Sequence, residues 1–158
     1  MLERGEMAPD FELPALIGGV KKRFHLAEHR GKRHLVLIFY PLNWEPVSTS
    51  QMISCQLEHQ KFLSRGAEVV GISVDSIMNT TAWERDIGPF DYPLCSDFWP
   101  HGEVSHRYGV LRQIEPFAGA SERAVFIVGK SGAIEFKKVY PIDEASDFGE
   151  VLRTLTGS

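Results

Sequence analysis

A continuous apolar run from Leu35 to Tyr40 constrains the fold of this chain more than any other stretch. Apolar residues in an unbroken row, without alternation, are typical of a strand that is covered by other elements on both faces. Pro41 ends the run, and a helical pattern begins near Ser48 and ends at Arg65-Gly66. The stripe that this helix turns inward comprises Met52, Cys55, His59 and Phe62. A buried strand is therefore predicted to lead, through a short turn, into the first turn of a helix.

The rest of the chain alternates between strand and helix patterns. The other predicted strands are 7–13, 20–26, 67–74, 93–95, 124–128 and 133–140, and the other predicted helices are about 77–86, a short one ending near 108, and 143–155. This order predicts an α/β fold: a central mixed β-sheet, parallel in its first half, flanked by helices, with an N-terminal β-hairpin turned at Gly18-Gly19. Because no repeat or linker interrupts the order, we expect one domain over residues 1–158.

Charge and composition exclude several classes of function. The net charge of −4 and the absence of any basic cluster larger than residues 21–23 argue against a nucleic-acid partner. No apolar run approaches the ~20 residues that span a bilayer, and the charged N-terminus lacks the apolar core of a secretory signal. The only cysteines, Cys55 and Cys95, exclude a disulfide scaffold and favour a reducing, cytoplasmic setting. We therefore expect a cytoplasmic protein without a membrane partner.

Metal and cofactor motifs are also missing. The histidines include no HExxH pair, and His101 and His106 are five residues apart, which is not the usual spacing of ligands on a helix. Gly129-Lys130-Ser131 lacks the earlier glycine of a phosphate-binding loop, because Ala124 stands at that position. We expect neither a metal nor a bound cofactor.

Ser48 is the candidate reactive position because it lies at the predicted start of a helix. Free backbone N–H groups and the positive end of the helix dipole point outward there. An anion, or a thiol that must ionise, is stabilised at such a place, and a cysteine pKa can fall from ~8.5 to well below 7. The alternative is that Ser48 only caps the helix, for which serine is a preferred residue. Spacing alone favours this second interpretation.

Several segments between about Gly5 and Tyr140 carry a family resemblance. They are residues 7–13 (MAPDFEL), 39–49 (FYPLNWEPVST), 71–75 (GISVD), 94–102 (LCSDFWPHG), 108–110 (YGV) and 123–128 (RAVFIV). Together, in order and spacing, they resemble peroxiredoxins of the alkyl hydroperoxide reductase/thiol-specific antioxidant family. The second half is most similar to the one-cysteine, alkyl hydroperoxide reductase E group of that family.

The resemblance implies a thioredoxin-like fold, a homodimer, and thiol-dependent reduction of hydrogen peroxide or alkyl hydroperoxides without a cofactor. Its partners would be the peroxide and a thiol reductant, either thioredoxin-like or of low molecular weight. Pro41 matches the family proline that shields the site, and Arg123 matches the distant arginine. Glu45, however, stands at the position of the family threonine, and Ser48 stands at the position of the peroxidatic cysteine.

These two departures change the expected chemistry. In the family a thiolate attacks a peroxide oxygen and becomes a sulfenic acid, which a thiol then reduces. A serine hydroxyl does not ionise near neutrality, and no histidine is evidently placed to activate it. The negative charge of Glu45 would oppose thiolate formation even at a restored cysteine, and Glu45 is expected to pair with Arg123. We expect peroxidase activity to be absent or residual.

Two questions stay open at this level. The serine is either an engineered replacement in an active enzyme or part of a natural relative that does not use the cysteine, and two altered positions favour the natural variant. The alternative to an enzyme is a non-catalytic redoxin-fold module that binds a partner or a small anion at the same place.

The two thiols have their own alternatives. Cys55 lies in the inward stripe, about 10 Å beyond Ser48 by helical rise, and a buried core cysteine is favoured over a relocated redox centre. Cys95 ends a predicted core strand and is also expected to pack. A Cys55–Cys95 redox pair remains as the less favoured hypothesis.

Overall fold

The computed structural model of this chain describes residues 2–156, and its twelve elements follow the predicted alternation. The strands are β1 (Glu12–Ile17), β2 (Val20–His25), β3 (His34–Phe39), β4 (Ala67–Ser73), β5 (Leu94–Ser96), β6 (Arg123–Val128) and β7 (Ile134–Tyr140). The helices are α1 (Pro46–Ser64), α2 (Ile77–Ile87), α3 (Glu103–Arg107) and α4 (Phe148–Thr156), with a 3-10 helix at Leu26–His29. None of the helices within 2–156 is long and apolar enough to cross a membrane.

The strands form one seven-stranded sheet in the order β2-β1-β5-β4-β3-β6-β7. The neighbours β3, β4 and β5 are parallel, while every other pair is antiparallel, including the hairpin of β1 and β2. The predicted mixed sheet with an N-terminal hairpin is confirmed. The carboxyl ends of β3, β4 and β5 meet at one edge, which is where open α/β sheets usually place their sites.

Both faces of the sheet are covered, which explains the unbroken apolar run in β3. Val36 and Ile38 face the layer formed by α1, α2 and α4. Leu37 and Phe39 face the opposite layer, to which the 3-10 helix and Tyr108 belong. All four side chains are fully buried. A strand that alternates between two cores has no need of polar residues.

Two predicted boundaries are wrong by about five residues. The first strand, predicted at 7–13, begins at Glu12, and Met7 forms only an isolated bridge to Ala133. Pro9 has no N–H to give to a strand ladder, so regular pairing starts after it. The last helix, predicted from Asp143, begins at Phe148. Its expected first turn is held as a loop because backbone groups of residues 142 and 146 bond to side chains of β6 and α1.

Candidate active site

The turn between β3 and α1 is fixed by hydrogen bonds to the start of α2. The Asn43 side chain accepts from the Tyr40 hydroxyl at 2.8 Å and donates to Thr80 Oγ1 at 3.0 Å, while the Asn43 N–H donates to the Asp75 carboxylate at 2.8 Å. Trp44 adopts a φ of 71°, in the left-handed region that few non-glycine residues occupy. Buried Pro41 lies two residues after the end of β3. This rigid turn sets the direction in which α1 begins.

Glu45, and not Ser48, is the N-cap of α1. Its carboxylate accepts from the Val47 N–H at 2.7 Å and from the Ser48 N–H at 2.9 Å. Pro46 is the first helical residue, a position that suits proline because the N–H it lacks would have no partner there. The capping interpretation of Ser48 is therefore wrong, and the helix starts two residues earlier than predicted. Ser48 instead lies inside the first turn, fully buried.

The Ser48 hydroxyl connects the carboxylate to the arginine. Ser48 Oγ donates to Glu45 Oε1 at 2.7 Å and accepts from Arg123 Nη1 at 3.2 Å. Arg123 Nη2 also donates to Glu45 Oε1, at 3.0 Å. The three residues come from the turn, the helix and the first position of β6, and the structure brings them together as the sequence predicted. Pro41 has no recorded polar contact with this group.

Arg123 has no free donor left for a ligand. Besides Ser48 and Glu45, its guanidinium donates to the Ile142 carbonyl, from Nε at 3.2 Å and from Nη2 at 2.6 Å. Nη1 makes a longer contact of 3.5 Å with Gln51 Oε1. A guanidinium carries five N–H donors, and these contacts use all of them. The side chain of Arg123 is fully buried and that of Glu45 is 12% exposed.

The charge state of Glu45 follows from these contacts. Burial favours its neutral form, but hydrogen bonds from Ser48, from the Val47 N–H and from Arg123 together hold the pKa of the Glu45 carboxyl below its ordinary value of 4.5. Glu45 is consequently a carboxylate at neutral pH. A carboxylate of lowered pKa is a weak base, so it does not activate Ser48 as a nucleophile.

Gln51 and Ile142 also belong to this site, although neither is among the residues predicted from the sequence. Gln51 lies one turn after Ser48 on α1 and joins the site to the loop before α4, because Gln51 Oε1 accepts from the Ser146 N–H at 2.8 Å. Its spacing of three residues from Ser48 was the available signal. Ile142 contributes only a backbone carbonyl, which no side-chain pattern reveals.

The possible metal ligands and the two cysteine thiols were the remaining candidates for metal or redox chemistry. Within the described chain, residues 2–156, no three His, Cys, Asp or Glu side chains are grouped in a way that could hold a metal ion. Cys55 and Cys95 are both free and buried, which confirms the packing interpretation of each. Burial raises the pKa of each thiol far above its ordinary value of 9.0, so neither ionises at neutral pH.

The proposed Cys55–Cys95 pair is wrong for a topological reason. Cys55 belongs to the core on the α1 side of the sheet, whereas Cys95 belongs to the core on the opposite side. On β5, Leu94 takes the α1 side and Cys95 the other, because successive strand residues alternate between faces. The sheet itself separates the two thiols.

Comparisons with known proteins identify relatives of this architecture. The sequence profile of the AhpC/TSA family matches residues 4–137. The chain is 37% identical over 161 residues to Putative peroxiredoxin sll0755 of Synechocystis sp., covering 98% of this chain and 78% of that protein. It is 34% identical over 157 residues to Peroxiredoxin-2 of Mus musculus, covering 96% and 76% respectively.

Solved structures agree with the sequence comparison. Mycobacterium tuberculosis AhpC superposes with a TM-score of 0.87 at 27% identity, covering 99% of this chain and 93% of that one. The reduced 2-Cys peroxiredoxin of Plasmodium vivax superposes with a TM-score of 0.88 at 27% identity, covering 97% and 80%. The thioredoxin-like sheet and its flanking helices are therefore shared with solved relatives over almost the whole chain.

Proposed function

This chain belongs to the AhpC/TSA family of peroxiredoxins, and we propose that, within this antioxidant family, it is a member whose own peroxidase activity is absent or residual. The observation that carries the proposal is the position of the Glu45 carboxylate. It accepts from two N–H groups of the first helical turn and from Arg123. These donors are the ones that, by the family resemblance, would hold a peroxide and stabilise a thiolate. Glu45 supplies the site with an anion of its own.

Ser48 and Glu45 fit one another, which supports a natural variant over an engineered one. A hydroxyl donates to a carboxylate at 2.7 Å without cost. A thiolate at the same place would face that carboxylate as a like charge, and its ionisation would be opposed. The neutral hydroxyl at position 48 and the carboxylate at position 45 are therefore compatible, whereas a thiolate and a carboxylate at these positions would repel one another. An engineer who removed only the cysteine would have left the original threonine.

The same contacts weigh against binding of a small anion as an alternative function. Every donor that an anion would need is already bonded to Glu45, to Ser48 or to backbone and side-chain oxygens near α4. Ser48 and Arg123 are fully buried, so neither offers exposed surface to an incoming anion. A non-catalytic role would therefore use another part of the surface.

Other features of the proposal follow from family membership. We propose a cytoplasmic homodimer of the one-cysteine type, in which Ser48 occupies the cysteine position, Glu45 the threonine position, and Pro41 and Arg123 their family places. A peroxide and a thiol reductant would be partners only of a member that carries the cysteine.

Treatment of the unaltered protein with hydrogen peroxide tests the proposal. With dithiothreitol as reductant, we expect peroxide to disappear at the rate of the protein-free control, because no thiol in the chain is both ionised and accessible. The intact mass should stay unchanged and two thiols should titrate after unfolding. A protein-dependent rate that saturates with peroxide, or a mass increase of one or two oxygen atoms on a cysteine, would overturn it.

A further inference from the structure

Trp44, the residue directly before Glu45, has a backbone conformation that its own side chain disfavours. Among the non-glycine residues of 2–156, only Trp44, with a φ of 71°, and Phe117 have a positive φ. A residue with a Cβ atom pays free energy for this conformation, and it keeps the conformation only where surrounding contacts hold it there. Whatever holds Trp44 therefore also sets the direction in which the chain enters Glu45.

The side chain of Asn79, on the first turn of α2, supplies such a contact. Asn79 Oδ1 accepts from Trp44 Nε1 at 3.1 Å and from Asn43 Nδ2 at 3.1 Å, so one oxygen ties two successive residues of the turn to α2. The Asn79 N–H in turn donates to the Ser76 hydroxyl at 3.2 Å. The Trp44 side chain is half exposed, so burial holds it less firmly than a ring in the core.

The two neighbours of Trp44 are anchored on different elements. Asn43 is fixed by its bonds to Tyr40, Thr80 and the Asp75 carboxylate. Glu45 is bonded to the first turn of α1 and to Arg123. A change in the φ of Trp44 would turn Glu45 relative to Asn43 and draw its carboxylate away from α1. The tether of Trp44 and the bonds of Glu45 thus favour the same conformation of the turn.

We propose that Asn79 is a positioning residue of this site: its side-chain oxygen holds Trp44 in the left-handed conformation and so keeps the Glu45 carboxylate on the first turn of α1. The inference rests on the proposed function, in which Glu45 is the anion of the site. It adds α2 to the elements that control whether the helix N–H groups and Arg123 are occupied by that anion. No covalent step is involved.

Amide hydrogen exchange of the full-length protein, followed residue by residue by NMR, tests the proposal. The N–H groups of Val47 and Ser48 donate to Glu45, so their exchange reports release of the carboxylate. Asn79→Ala should make both exchange about threefold to tenfold faster, the change expected for one lost hydrogen bond. Asn79→Asp keeps an oxygen acceptor and should retain the rates of the unaltered protein. Unchanged rates in Asn79→Ala, or equal acceleration in Asn79→Asp, would overturn the proposal.

The Ser146 N–H is the internal control for general loss of stability. It donates to Gln51 Oε1 at 2.8 Å, in the loop before α4. Opening of that loop does not break the bond between Asn79 and Trp44, so the exchange of Ser146 should be the same in Asn79→Ala and in the unaltered protein. Equal acceleration at Ser146 and at Ser48 would mean that Asn79 stabilises the whole protein rather than this turn.

A second pair of variants isolates the backbone conformation of residue 44. Trp44→Gly and Trp44→Ala both remove the indole, but glycine adopts a positive φ freely whereas alanine is strained there. The Val47 and Ser48 amides should therefore exchange faster in Trp44→Ala than in Trp44→Gly. Equal rates would show that the φ of residue 44 does not hold Glu45. The ionisation of Glu45 is tested separately, by titration of the unaltered protein, so failure of the proposed function and failure of this inference can be told apart.

Discussion

Replacing Ser48 with cysteine and Glu45 with threonine together should give peroxide reduction at least about a hundredfold faster than replacing Ser48 alone. A carboxylate next to a thiol raises the thiol pKa by about one to three units, and Glu45 Oε1 lies 2.7 Å from the atom that a sulfur would replace. Each unit lowers the thiolate fraction near neutrality about tenfold. Removing the carboxylate also frees Arg123 and two helix N–H groups to hold the peroxide. The rate is measured as hydrogen peroxide consumption with dithiothreitol at neutral pH.

The Glu45→Thr variant, which keeps Ser48, is the matched control for this gain. It opens the same donors but provides no thiol, so it should stay at the protein-free rate. A pH titration of thiolate absorbance in the two cysteine variants separates the causes, since the thiolate should appear at lower pH when Glu45 is absent. Equal rates for Ser48→Cys with and without Glu45→Thr would show that Glu45 does not obstruct the site.

Arg123→Met should cost about 3–5 kcal/mol in the free energy of unfolding, the usual penalty for removing one partner of a buried ion pair. Methionine keeps most of the length of the side chain, but it leaves the Glu45 carboxylate, 12% exposed, without its cation. The Ile142 carbonyl also loses both of its donors from the guanidinium. Urea unfolding monitored by circular dichroism measures the change.

Two further variants serve as controls for the loss of unfolding free energy in Arg123→Met. Arg123→Met combined with Glu45→Gln should recover part of the loss, because the amide is neutral and keeps the volume of the side chain. Arg33→Met, at a side chain that is 45% exposed and 4.0 Å from Glu68, should cost less than about 1 kcal/mol. A loss at Arg123 no larger than the loss at Arg33 would mean that the buried pair contributes little to stability.

Much of the fold was predictable because its signals are local. The unbroken apolar run of β3 correctly indicates a strand between two cores. The predicted start of α2 near residue 77 is also observed, and the Ser76 hydroxyl caps it by accepting from the Asn79 N–H at 3.2 Å. The helix α1 begins at Pro46 and not near Ser48 as predicted, and proline is a residue favoured at the first helical position. Pro46 is therefore a better marker of the start of this helix than Ser48, which lies two residues later.

The rest depends on contacts between distant parts of the chain. Gln51 and Ile142 meet Arg123 across 72 and 19 residues, and neither residue type suggests that role. The separation of Cys55 from Cys95 follows from the pairing of β5 with β1 and β4, which sequence alone does not give. These contacts depend on the order of the strands in the sheet, which is set by pairing between segments that are far apart in the chain.

Glu45 is ionised and acts as the built-in anion of this site. The most direct test is an NMR titration of the Glu45 carboxyl carbon, assigned by its absence in Glu45→Gln. We expect a midpoint below the ordinary pKa of 4.5, with the amide signals of Val47 and Ser48 shifting at the same pH because both N–H groups donate to that carboxylate. A midpoint at or above 4.5, with amide signals that do not follow it, would contradict the account.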